Sequence, residues 1–172
     1  MRAPAFAVCV LATALSVPAP LHADAFDPQP RKVVGVEKRK NIKVVYDDKD
    51  DVWDAGIGKG LYYLRGLLES YKSLRSDPRK VTISIVLHGD TVYWRLNDEA
   101  YRYYKNDPFG YNPNTKVVEE LVDHGVSVKI CRVSMRAKGF LPEDLLPGVV
   151  VVHDAYTRLI DLQQRGYAYI RF

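Results

Sequence analysis

Cysteine is almost missing from this chain, with two residues, Cys9 and Cys131, among 172. Close-spaced ligand pairs such as C-x-x-C or H-x-x-x-H are missing as well. Nothing in the spacing therefore anchors a metal, and neither a metal nor a cofactor is expected. There is no G-x-x-x-x-G-K-[ST] and no G-x-S-x-G, and "GIGKG" at residues 56–60 is not a G-x-G-x-x-G fingerprint. These absences argue against nucleotide chemistry and serine hydrolysis. The acidic run "DDKDD" lacks the glycine and the distal glutamate of an EF-hand loop. No apolar run reaches the roughly 20 residues that cross a bilayer, so no stable membrane insertion is expected. A broad basic face is missing too. Residues 26–43 hold six Lys/Arg against two acids, whereas residues 44–172 hold 18 of each. The excess charge is an arm, a solvated linker over residues 26–40, and no nucleic-acid partner is expected.

What is present starts with a leader. Arg2 is a minimal positive region, and residues 5–17 form an apolar run of signal-peptide length. Pro18 and Pro20 break any helix, and small-residue cleavage sites follow at Ala23 and Ala25. Residues 1–25 read as a secretory signal peptide, and the mature protein is expected in the periplasm or secreted. Cys9 leaves with the leader. One thiol then remains in an oxidising compartment, where an internal disulfide cannot form and where intermolecular pairing or reactivity comes into question.

Residues 41–172 alternate between strand and helix patterns. "NIKVVYD", "KVTISIVLHGD", "VSVKI", "VVVVH" and "YAYIRF" read as five strands. Ile57, Leu61, Leu64, Leu68 and Tyr71 recur at helical steps, with Asp54 as the expected N-cap. Asp90 is the expected cap of a second helix, "TVYWRLNDEAYRYYKN", and "TKVVEELVDHG" and "AYTRLIDLQQRG" read as two more. "VVVVH" has the unbroken apolar pattern of a strand buried on both faces. The spacing predicts one α/β domain of three layers, helices on both faces of a mostly parallel sheet of about five strands, flavodoxin-like in size.

Ligands of such sheets bind beyond the carboxyl ends of the strands. There the chain places Asp47 and Asp48, then His88 and Asp90, then Cys131, then His153 and Asp154. Cys131 is the sharpest candidate. Val126, Val128 and Ile130 share one strand face, while Ser127, Lys129 and Cys131 share the other. Arg132, Arg136 and Lys138 follow in what reads as an electropositive loop. Thiolate is the nucleophilic form of cysteine, and nearby cations favour it. Buried cysteine is also an ordinary small hydrophobe, so a reactive and a packing role both stand. His88 or His153 can serve as a base towards the thiol, or join Cys131 in a tetrahedral metal set, or be structural. The aromatics between Tyr93 and Tyr111 exceed what one helix can bury. They point either to a subunit interface between copies or to cover by the "NDPFGYNPN" loop.

The last third has a familiar form. "HGVSVKICRVSMRAKGFLPEDLLPGVVVVHDAYTRLIDLQQRGYAYIRF" resembles the C-terminal half of the DsrE/DsrF-like family, and "IVLHGD" resembles its second strand. "YRYYKNDPFGYNPN" has no counterpart in that pattern. The resemblance implies a small α/β domain that is often oligomeric. In the sulfur-relay members the matching cysteine carries sulfur as a persulfide; by position that residue is Cys131, and His88 matches the family's "HG". Sulfur donor and acceptor proteins or small thiols are then the expected partners, beside a homo-oligomer. The rival reading is a binding or assembly subunit whose cysteine is structural.

Overall fold

The computed structural model describes residues 32, 34–37, 40–74 and 81–172. The leader and most of the basic arm lie outside the described residues. Contacts divide the chain into Met1–Gly35 and Val36–Phe172, and the α/β fold lies in the second unit.

Five strands form one wholly parallel sheet: β1 (Ile42–Asp48), β4 (Val81–Leu87), β5 (Ser127–Cys131), β6 (Val150–Val152) and β7 (Ala168–Arg171). Their order is β6-β5-β4-β1-β7. The chain thus steps outward from β1 through β4 and β5 to β6. It then returns through α5 (Ala155–Gln164) to lay β7 on the far side of β1. The expected three-layer fold is present.

Alternation along the strands sorts the side chains into two layers. Val44, Tyr46, Ile83, Ile85, Leu87 and Val128 face α1 (Lys59–Ser73) and α3 (Thr115–Asp123), where Leu61, Leu64, Leu68, Val117, Val118 and Leu121 meet them. Val45, Val86 and Cys131 face the other way, against Ala155, Leu159 and Leu162 of α5. Truncating a fully buried leucine such as Leu64 to alanine costs about 2–5 kcal/mol in such a core.

Four expectations are corrected. Asp54 does not cap α1. It closes β2 (Trp53–Asp54), which pairs with β3 (Ile57–Gly58) across a tight turn of Ala55 and Gly56, both at positive φ. Two left-handed central residues match the right-handed twist of a hairpin. α1 therefore begins later, at Lys59. The second helix is broken in two: a 3-10 helix, Gly89–Arg95, and α2 (Asp98–Lys105), with Asn97 accepting from Ala100 N at 2.9 Å as the cap between them. Arg132–Lys138 is a helix, α4, and not a loop. Finally, β6 is an edge strand, and Val150 and Val151, which point to opposite faces of the sheet, are both exposed.

"GIGKG" also has a packing explanation. A Cβ on Gly58 would stand 2.4 Å from the Trp94 ring, and one on Gly60 would stand 1.9 Å from Asp48 Oδ2. The missing side chains let Trp94 seal the hairpin and let the Asp48 carboxylate reach the first turn of α1. Burial pushes Asp48 up to about 7, against the pull of buried Arg95 and the Gly60 N–H.

Candidate functional site

The carboxyl ends of β1, β4 and β5 bring Asp47, His88 and Cys131 to the α5 side of the sheet. Register accounts for this. Asp47 pairs with Val86 and Val86 with Lys129, so His88 and Cys131, each two residues further on, lie on the same face.

Cys131 closes β5 and caps α4, with φ −72° and ψ 119°. It is 4% exposed and packs among Val45, Val86, Ala155, Leu159 and Leu162. Cys131 nevertheless lines a cavity of about 440 Å³ together with His88, Lys49, Ser134, Asp154 and Tyr156. No hydrogen bond joins Cys131 to His88 among the described residues; the two meet as walls of one space.

His88 is held from several sides. Its Nε2 donates to Asp47 Oδ1 at 2.8 Å, and the Tyr169 hydroxyl donates to Asp47 Oδ2 at 2.6 Å. An ionised carboxylate only accepts, so Nε2 carries a proton, and in the neutral imidazole Nδ1 is the accepting nitrogen. Burial opposes ionisation of Asp47, but the bonds from His88 and Tyr169 outweigh it and hold the carboxyl below its ordinary range. The same contact, after burial, pushes the Tyr169 phenol up to about 12. The Tyr156 ring meets the His88 ring edge-on, centroids 5.4 Å apart, and is itself exposed. Gly89, at φ +58°, turns the chain away from the site. A Cβ there would strike Lys49 at 2.9 Å, and its N–H donates to Ser134 Oγ at 3.1 Å, tying the end of β4 to α4.

The other candidates are placed elsewhere. Arg132 is half-buried and Arg136 exposed on α4. Lys138 pairs with Asp90 at 3.0 Å and lies over the Tyr93 ring. None of these three lines the thiol cavity, where Lys49 is the one Lys or Arg among the described residues. Helical geometry explains the difference: α4 presents Val133 and Ser134 to the cavity and turns its basic residues outward. Asp90 is spent on Lys138 rather than capping a helix. His153 is largely exposed, bonds Asp154 Oδ2 at 3.1 Å, and borders a different cavity, beside Lys129. Of the acidic run, Asp51 accepts from Trp94 Nε1 at 2.7 Å and approaches Lys105, not the cations after Cys131. Among the described residues no group of three or more His, Cys, Asp or Glu is placed to hold a metal.

Sequence reading missed the orienting role of Asp47, missed Tyr169 and Tyr156 altogether, and placed Lys129 on the strand face of Cys131 without giving it a role. Asp47 carried a weak signal, being on the same strand face as Val45. Tyr169 carried none, because its contact depends on β7 pairing with β1.

The chain is similar to two solved structures. One is a protein of unknown function from Methanobacterium thermoautotrophicum, 26% identical, with 75% of this chain and 96% of that one covered and a TM-score of 0.52. The other is the ychN protein from E. coli, 19% identical, with 76% and 100% covered and a TM-score of 0.49. No curated protein matches the chain. The model of the DsrE/DsrF-like family matches residues 62–172, a span that contains His88, Cys131 and all of the main sheet but β1. The chain belongs to the DsrE/DsrF-like family.

Proposed function

We propose that this chain is an exported sulfur-relay protein that holds sulfane sulfur as a persulfide on Cys131 and hands it to an acceptor thiol. The observation that carries the reading is the shared cavity of Cys131 and His88, with His88 oriented by Asp47 and Tyr169. His88 Nδ1 takes the thiol proton. The Cys131 thiolate then attacks the outer sulfur of a donor persulfide, R–S–SH. One S–S bond forms as another breaks, leaving Cys131–S–SH and the donor thiolate R–S⁻. Transfer onward repeats the exchange, with the acceptor thiolate as nucleophile and Cys131 as leaving group, so no net oxidant is required. The leader directs the chain out of the cytoplasm and is removed after Ala23 or Ala25. Copies associate through the exposed aromatic side chains Tyr103, Phe109 and Tyr111.

Intact-mass measurement after incubation with a sulfane donor tests the relay. Wild type gains about one sulfur atom, and Cys131→Ser gains none. Equal masses for the two would remove the relay.

The 4% exposure of Cys131 favours a second reading, an assembly subunit in which the cysteine is core filler. Alkylation of the native protein separates the two. A relay cysteine reacts before denaturation, and a packing cysteine only after it.

A further inference from the structure

The open half of the α5-side sheet face holds a second cavity, of about 520 Å³, on a floor of Val150 and Val152. Lys129 lines it and is 5% exposed. Its ammonium donates to Ser84 Oγ at 2.9 Å, to Ser127 O at 3.4 Å and to Ser127 Oγ. All three partners are neutral. A buried ammonium without a counter-ion is costly, by several kcal/mol in general.

The charged groups facing it do not supply that counter-ion. On α5, Asp161 is already shared by Arg158 and by Arg165, whose Nε donates to it at 2.9 Å. Asp154 accepts from Thr157 N at 2.8 Å, from the Thr157 hydroxyl at 2.6 Å and from His153 at 3.1 Å. Arg158 adds a second cation, and its buried Nε–H has no acceptor among the described residues. Burial, and then Arg158, push the Lys129 ammonium down to about 8, as expected for a buried cation beside a second one.

We propose that this cavity is an anion site, taking a small oxyanion or carboxylate between Lys129 and Arg158. It is separate from the thiol cavity and independent of the relay reading. The lysine amine reaches back to Ser127, which stands four strand residues, about 13 Å, from Cys131. The two cavities share only the Asp154 wall.

Thermal denaturation of the mature protein tests this, with inorganic phosphate or succinate titrated at constant ionic strength. The melting temperature of wild type is expected to rise with anion concentration and to saturate. Lys129→Met and Arg158→Gln should each weaken the response about tenfold or more, the usual effect of losing one charged hydrogen-bond partner. Lys129→Met replaces a buried charge by an apolar chain of similar length, a change that is often neutral or stabilising without ligand. If it fails to fold, Arg158→Gln, at a half-buried position, decides alone. An identical response in wild type and the folded variants would overturn the site. So would a wild type that responds to its own concentration and not to anion, since a carboxylate of a second copy would then fill the cavity.

Discussion

His88 has one ring nitrogen committed to Asp47 and lines the Cys131 cavity, and the imidazole cannot turn without breaking the bond to a buried carboxylate. His88→Ala is expected to slow sulfur loading by about 100-fold or more, in the range of a lost general base. Loading is read as the rate of mass gain. Asp47→Asn should slow it less and leave the final mass unchanged, because the nucleophile stays while its base loses orientation. Asp47 also sets a pH dependence. Its folded value is depressed, so its contribution to stability is present above the ordinary aspartate value near 4 and is lost as pH falls through the lower folded value. Urea midpoints between about pH 2 and 6 should therefore fall more steeply towards acid in wild type than in Asp47→Asn. Equal acid limbs in the two proteins would show that the carboxylate gains nothing from His88 and Tyr169.

At the scale of elements, α1 offers two glycines with opposite expectations. Gly60 touches Asp48, and Gly60→Ala forces that carboxylate or the helix to move. A loss of about 1–3 kcal/mol, typical of overpacking, should appear as a lowered urea midpoint. Gly66 sits in the same helix with nothing within 4 Å of its would-be Cβ. Gly66→Ala should raise the midpoint by up to about 1 kcal/mol, the helix-interior difference between the two residues. If both substitutions acted alike, the close approach of Asp48 to α1 would be unnecessary for the fold. The aromatic segment divides similarly. Trp94 is fully buried, and Tyr93 and Tyr104 pack on Phe140, while Tyr103, Phe109 and Tyr111 stay outside. Helical periodicity alone did not separate these groups, because the break at Leu96 and Asn97 changes which residues share a face.

For the whole molecule, the sheet is covered unevenly. Among the described residues one face carries α1 and α3, the other α5 alone, and β6 closes the sheet with a partly open edge. Among the described residues no helix is long and apolar enough to cross a membrane. The exposed aromatics and the association proposed for them lead to one prediction at this scale. Tyr103→Ser with Phe109→Ser is expected to lower the molar mass in solution, measured by light scattering, without changing the urea midpoint. An unchanged molar mass would place any subunit contact elsewhere.

Periodicity by itself determined the number of strands in the main sheet, their approximate limits and the face on which Cys131 stands, because alternation along a strand is a local property. The glycine before the cysteine strand and the pattern after it were enough for the family. Strand order was not legible, since parallel pairing joins residues far apart in the chain, and with it went the Asp47–Tyr169 contact between β1 and β7. The cations after Cys131 looked like a field around the thiol; a helical turn, invisible without the tertiary structure, faces them away. Only the packed structure decided that Lys129 has no counter-ion among the described residues, because a counter-ion's absence is a fact about every neighbour at once.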